Sequence, residues 1–222
     1  MNVERPAAVL FDLDGTLADT APDLIAALAA LRQRLRLPDI DLAPLRRLAS
    51  RGAPAILEAG LGELHADERL AHRPAFIELY HAACWVDSRP FDGVEALLDA
   101  LERRGIRWGV VTNKIERLAI AVLEQAGWSG RLACLIAGDT TARPKPAPDP
   151  VLAACTRLSV APETVVFVGD DERDVLAGRA AGTRTIAADW GYLPEPGASL
   201  HWGADVIADR PDALHVLLGL VP

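Results

Sequence analysis

Cysteine is scarce: the 222 residues hold only three, Cys84, Cys134 and Cys155, far apart in the chain. Their spacing rules out a disulfide framework and any cysteine-based metal motif, and three small core residues in a reducing compartment are expected instead. Positive charge is in deficit. Lys and Arg number 23 against 31 acids, a formal net charge of −8, which argues against nucleic acid as the main partner. No charge-free apolar run reaches membrane-spanning length, and the N-terminus shows no signal-peptide pattern, so a cytoplasmic protein with no membrane partner is expected. Repeats, low-complexity tracts and charge runs are also missing. What is abundant is apolar surface, 50% of residues, enough for a sizeable core in one large domain or in a core with a small insert.

The most informative stretch lies near the N-terminus. Ala7-Ala8-Val9-Leu10-Phe11 runs into Asp12-Leu13-Asp14-Gly15-Thr16. A short apolar run closed by Asp and Gly predicts a buried parallel strand entering a tight turn. Side chains alternate along a strand, so Asp12 and Asp14 leave its carboxyl end on the same side. That edge is where open α/β sheets place their sites. Two acids there are costly unless neutralised, and a divalent cation does so most simply. An isolated Asp-x-Asp is more often a solvated Asx-turn, so the reading depends on partner motifs downstream.

Three follow in order. Trp108-Gly109-Val110-Val111-Thr112-Asn113-Lys114 is a second apolar strand, closed by a hydroxyl, an amide and a base. A hydroxyl and the next backbone N–H suit a phosphate oxygen, although the same residues also cap a helix. Arg143-Pro144-Lys145-Pro146-Ala147-Pro148-Asp149-Pro150 holds Lys145 in an extended, proline-stiffened loop, and Asp149-Pro150 reads as an N-cap and first helical position. Thr164-Val165-Val166-Phe167-Val168-Gly169 is a third buried strand, followed by Asp170-Asp171-Glu172-Arg173-Asp174. Asp170 and Asp174 are four apart and face one way at a helix start. Acids also favour a helix N-terminus on their own account, which suffices for Asp171 and Glu172.

Phe11 to Thr20, with these three partners, resembles the motif set of the haloacid dehalogenase superfamily of phosphohydrolases, and the resemblance spans Asp12 to Asp174. It implies a Rossmann-like three-layer α/β fold with a parallel-sheet core. Between the first two motifs, helical spacing runs through Ala21 to Leu35, Pro44 to Gly60 and Asp67 to Trp85, with breaks at Leu37-Pro38 and Leu61-Gly62 and no strand pattern. This resembles the all-helical cap of one superfamily subgroup. The expected domains are a core of residues 1–18 and 86–222 and a cap of residues 19–85, with a turn-rich hinge at Asp87 to Val94. A strand near Arg184 to Ala188, a short one at Asp205 to Ala208 and a closing helix from Pro211 are expected after the fourth motif.

The resemblance also implies the chemistry. Asp12 attacks phosphorus to form an aspartyl-phosphate, and Asp14 protonates the leaving oxygen and then activates water. Mg²⁺ is bound by the Asp12 and Asp170 carboxylates and the Asp14 carbonyl, while Thr112, the Asn113 amide and Lys145 hold the phosphoryl oxygens. Asp171 and Asp174 form an outer layer orienting waters and Lys145. A dehalogenase needs neither Asp14 nor Asp170, so both argue against that activity. A phosphosugar mutase or general sugar phosphatase stays open, as does a phosphorylation-controlled receiver module, which the long insert and Asp14 disfavour. The expected partner is a small-molecule phosphate ester; nothing in the sequence specifies an oligomeric state. Further stretches, among them Asp19-Thr20-Ala21-Pro22-Asp23-Leu24 and Trp202-Gly203-Ala204-Asp205-Val206, resemble phosphoglycolate phosphatases and N-acetylmuramic acid 6-phosphate phosphatases. Both act on carboxylated esters, and Arg51, at the Ser50-Arg51-Gly52-Ala53 helix break, is the expected partner of the carboxylate.

Overall fold

The computed structural model describes residues 5–220, so the outermost positions of the expected core segments 1–18 and 86–222 lie outside the described residues. The chain runs β1 (Ala8–Phe11), β2 (Ala18–Asp19), α1 (Ala21–Arg34), a 3-10 segment (Ala43–Arg51), α2 (Gly52–Gly60), α3 (Ala66–Ala71), α4 (Arg73–Ala82) and β3 (Arg89–Pro90). It continues through α5 (Val94–Arg103), β4 (Arg107–Val111), α6 (Glu116–Gln125), β5 (Cys134–Ile136), α7 (Asp149–Leu158), β6 (Val165–Gly169), α8 (Glu172–Ala181), β7 (Arg184–Ala188), β8 (Val206–Ala208) and α9 (Ala213–Leu217).

The sheet is parallel, in the order β5-β4-β1-β6-β7-β8. β1 is at its centre, and all four of its residues are buried, as an unbroken apolar run requires when helices cover both faces. Its side chains alternate between two cores. Val9 and Phe11 pack with Leu98, Leu118 and Val122 of α5 and α6. Ala8 and Leu10 pack with Val151, Ala154 and Ala177 of α7 and α8. This parity carries function, because Asp12 continues the Ala8–Leu10 face, the side from which Lys145 and Asp174 arise. The three cysteines are all buried and unpaired.

After β1 the chain crosses to β4 and β5 on one side and later to β6 on the other. The strand order therefore reverses about β1, and a crevice opens at the carboxyl ends of β1, β4 and β6. The helices α1 to α4 and the 3-10 segment lie between residues 21 and 82 and join the sheet domain through β2 and β3, which pair antiparallel with Ala18 opposite Pro90 and Asp19 opposite Arg89. Asp23 fixes the return. Its carboxylate accepts the backbone N–H of Val86 at 2.9 Å, Asp87 at 3.0 Å and Ser88 at 2.9 Å, and the Ser88 hydroxyl at 2.6 Å.

Several boundaries differ from the sequence expectations. The helix expected over Pro44 to Gly60 divides, because Gly52 takes φ +73°, outside the helical region, and a 3-10 turn precedes it. The helix expected over Asp67 to Trp85 divides at His72, where Pro74 begins a new first turn. Pro148, not Asp149, is the flanking residue of α7. The closing helix starts at Ala213 rather than Pro211. Two-residue strands such as β2 and β3, and the three-residue β5, carry too little alternation to register in a sequence.

Candidate active site

The site follows from strand ends. Asp12 begins where β1 stops, its N–H still bonded to Val168 O at 2.9 Å, and the residue is 5% exposed. Thr112 stands at the end of β4, with its N–H on Ile136 O at 2.9 Å. Asp170 follows β6 and has no exposed surface. Lys145 comes from the loop before α7. Asn113 fixes that loop: its Nδ2 donates to the Lys145 carbonyl at 2.9 Å, and its Oδ1 accepts the Lys145 N–H at 3.0 Å.

Lys145 is the electrostatic centre. Its buried ammonium donates to the Val111 carbonyl at 2.8 Å and lies 2.6 Å from Asp174 Oδ1 and 2.9 Å from Asp12 Oδ1. Burial alone would lower its pKa; Asp12 and Asp174 outweigh that and raise it, keeping the charge in place. The contact to Asp12 is an ion-pair approach without hydrogen-bond alignment, so Asp12 Oδ1 is buried with no hydrogen-bond partner.

Asp12, Asp170 and Asp174 each offer a carboxylate oxygen, all within 4.8 Å of one another. Burial first, and then the charges of Asp12 and Asp174, push the Asp170 carboxyl well above its ordinary range. Asp174 is likewise raised, by burial and Asp12 against the opposing pull of Lys145. With all three acids ionised, the one ammonium would leave two negative charges uncompensated, and that is what raises the Asp170 and Asp174 carboxyls when no cation is bound. Hard oxygen donors, a buried oxygen lacking a hydrogen bond and an excess charge of two fit a small divalent cation such as Mg²⁺.

Backbone allows the crowding. A Cβ at Gly15, which sits at φ +89°, would collide with the Asp170 carboxylate, and one at Gly169 would collide with Asp174. Asp170 is held by Thr16 Oγ1 at 2.9 Å, Tyr192 N–H at 2.8 Å and Ser50 Oγ at 2.6 Å. Ser50 Oγ also lies 3.0 Å from the Asp14 carbonyl, so one helical-insert hydroxyl touches two of the expected metal-binding groups. The Asp14 carboxylate receives Thr20 Oγ1 at 2.5 Å and Lys114 Nζ at 2.8 and 3.0 Å. Lys114 Nζ in turn lies 4.5 Å from the centre of the Tyr80 ring, on α4.

Asp171 stands at the start of α8. Its side chain caps α8 by accepting the Arg173 N–H at 2.9 Å and pairs with Arg173 Nε at 2.7 Å. A capping carboxylate turns back towards the first helical turn, and the charge of Lys145 still acts on it. Burial would raise this carboxyl, but Arg173 holds it below the ordinary range. Arg173 also donates to the Ser50 carbonyl at 2.9 Å, tying the helical insert to α8.

A cavity of about 380 Å³ lies over these groups, lined by Asp12, Asp14, Thr112, Asn113 and Lys114 from the sheet side and by Arg51 from the insert. The structure thus brings Arg51 to the same cavity as the strand-end acids. Sequence reasoning missed Ser50 as a ligand of the acids, the Lys114–Asp14 pair, Arg173 and Tyr192. Lys114 had a signal, directly following Thr112-Asn113 at a strand end. Tyr192 had none, since its N–H meets Asp170 only through the fold of the segment after β7.

A family model described as haloacid dehalogenase-like hydrolase matches residues 6–182. A phosphoglycolate phosphatase of Xanthomonas campestris is 48% identical over 209 residues, covering 94% of this chain and 95% of that protein. An N-acetylmuramic acid 6-phosphate phosphatase of Pseudomonas aeruginosa is 45% identical over 211 residues, covering 95% and 93%. Among solved structures, one described as a predicted phosphoglycolate phosphatase from Haemophilus somnus aligns with a TM-score of 0.86 at 25% identity, covering 97% of this chain and all of that one.

Proposed function

The chain belongs to the haloacid dehalogenase-like hydrolases and is a phosphatase, and from that premise we propose that it is a Mg²⁺-dependent phosphomonoester hydrolase working through an aspartyl-phosphate on Asp12. Its substrate is a small carboxylated ester, N-acetylmuramic acid 6-phosphate or 2-phosphoglycolate, hydrolysed in the cytoplasm. One observation carries the reading: Asp12 offers a buried carboxylate oxygen with no hydrogen bond, beside a fixed ammonium, on the wall of the cavity.

Asp12, Asp170 and the Asp14 carbonyl would hold Mg²⁺, with Asp174 beside them. The cation supplies positive charge against a doubly negative phosphate, which otherwise repels a carboxylate nucleophile. Thr112, the Asn113 N–H and Lys145 bind the phosphoryl oxygens. Asp12 attacks phosphorus, the ester P–O bond breaks, and Asp14 gives its proton to the departing alkoxide. Asp14 then takes a proton from the water that attacks the phosphorus of the aspartyl-phosphate, releasing inorganic phosphate and restoring Asp12. In the free site Lys114 holds the Asp14 carboxylate. An arriving dianion competes for that ammonium and frees the Asp14 carboxylate to take up, from solvent, the proton that it then gives to the alkoxide and regains from the attacking water.

Residues 19–85 act as a cap over a core of residues 1–18 and 86–222. Ser50 and Arg173 latch it, and it excludes water during transfer. The cavity holds roughly a dozen water volumes of ~30 Å³. 2-Phosphoglycolate leaves much of that space to water, and the larger amino-sugar ester leaves less. Asp12→Asn tests the reading. It is expected to fold normally and to lose activity by about three orders of magnitude or more on every phosphomonoester. Activity within about tenfold of the parent enzyme would remove Asp12 as nucleophile.

A further inference from the structure

Arg73 begins α4, inside the helical insert. Its Nε is buried and has no hydrogen-bond partner. Two arginines of the insert are matched by acids, Arg32 by Glu63 and Arg46 by Asp19, and Arg69 donates to the Leu64 carbonyl. Among the described residues Arg73 takes no ion pair and no hydrogen bond, although Glu58 lines the outer groove that Arg73 also borders. Its other side faces the cavity that contains Asp12 and Thr112. Arg51, the second cation that the insert gives to this cavity, is also without an ion pair among the described residues. The wall around them is apolar, with Ala53, Phe76 and Ile77.

A guanidinium N–H kept from water and from any protein acceptor is costly. It is retained at a substrate cavity when a ligand supplies the acceptor. The phosphoryl group is already served at the far end by Lys145, Lys114 and Thr112. The unmatched cations of the insert therefore point to a second anionic group on the same substrate, away from the phosphate. A planar guanidinium suits a carboxylate, which takes two parallel N–H donors.

We propose that Arg73 is a specificity-determining residue that binds the substrate's carboxylate from the cap side, opposite the phosphoryl-binding strand ends. This rests on the carboxylated-ester reading above and extends it to a residue that no sequence motif marks. Arg73 touches the substrate away from the reacting atoms, so it governs which ester is bound rather than how phosphorus is attacked.

The test uses a matched pair. N-Acetylmuramic acid 6-phosphate and N-acetylglucosamine 6-phosphate differ by the lactyl ether that carries the carboxylate. In the parent enzyme the ratio of their kcat/KM values measures carboxylate recognition. If that ratio is near one and 2-phosphoglycolate is also hydrolysed no better than ethyl phosphate, which lacks its carboxylate, the carboxylated-ester reading fails and Arg73 loses its ligand with it. If the parent enzyme prefers the carboxylated ester, Arg73→Gln decides the residue's role. The ratio is expected to collapse by about ten- to a hundredfold, mainly through KM for the carboxylated ester, with Arg73→Lys intermediate. Equal losses on both esters would make Arg73 structural and overturn the proposal. Should Arg73→Gln fail to fold, Arg73→Lys carries the same decision, since its charge without the planar fork must still shift the ratio.

Discussion

The buried acids carry a measurable signature. The folded chain raises Asp170 by burial and by its two acidic neighbours, and Asp174 is pushed up to about 7, burial again leading. Carboxyls whose pKa is higher in the folded chain than in the unfolded one lend stability that is complete below the unfolded value, ~3.9, and lost as pH rises through the folded value. Chelated protein is therefore expected to melt at a lower temperature near pH 8 than near pH 6. Mg²⁺ binds the deprotonated acids, so the midpoint should recover on adding it, and more so at the higher pH. Thermal scans with EDTA or with Mg²⁺ at both pH values check this; midpoints indifferent to both would mean the acids do not form a cation site. Asp12 and Asp170 were legible because each closes an apolar strand, and Asp174 because it stands four residues on at a helix start; strand parity sets the side on which Asp12 leaves. Ser50 and Tyr192 were not, because their contacts with Asp170 span 120 and 22 residues and depend on how the insert and the segment after β7 fold back.

At the scale of elements, the hinge is the telling part. β2 and β3 are two residues each and give little rigidity by themselves. Asp23 supplies it, tying the start of α1 to the return segment through three backbone N–H groups and the Ser88 hydroxyl. Asp23→Ala leaves those donors unsatisfied, at a cost of about 3 kcal/mol. For a chain of this length, that is a drop of roughly 6–12 °C in Tm. Asp23→Asn, which keeps one acceptor oxygen, should lose less. A shift under about 2 °C for Asp23→Ala would show that the hinge is held by other contacts. The sequence placed this hinge by its turn residues and called Asp19 to Leu24 a family resemblance, yet Asp23's task needs the return segment in view. The division at Gly52 was legible as the Ser50-Arg51-Gly52-Ala53 helix break, whereas that at His72 was passed over because helical periodicity continues across it.

For the molecule as a whole, a net charge of −8 coexists with a cavity to which the core gives Lys114 and Arg173 and the insert gives Arg51 and Arg73. An acidic protein that gathers these four cations around its strand-end acids favours small anions and disfavours long polyanions, in keeping with a phosphate-ester substrate. Among the described residues no helix is long and apolar enough to cross a membrane. The parallel architecture was readable because four strand-closing motifs in order imply repeated strand–helix units. The substrate end was less so, because it is built by helices whose register decides which arginines face inward. The central claim is that Asp12 carries the phosphoryl group in transit. It is tested most directly by quenching the enzyme during turnover with borohydride, which reduces an aspartyl-phosphate to homoserine, and mapping the peptides by mass spectrometry. Homoserine at position 12, dependent on both ester and Mg²⁺, is the predicted result; an unmodified Asp12, or homoserine at Asp14 or Asp170 instead, would contradict it.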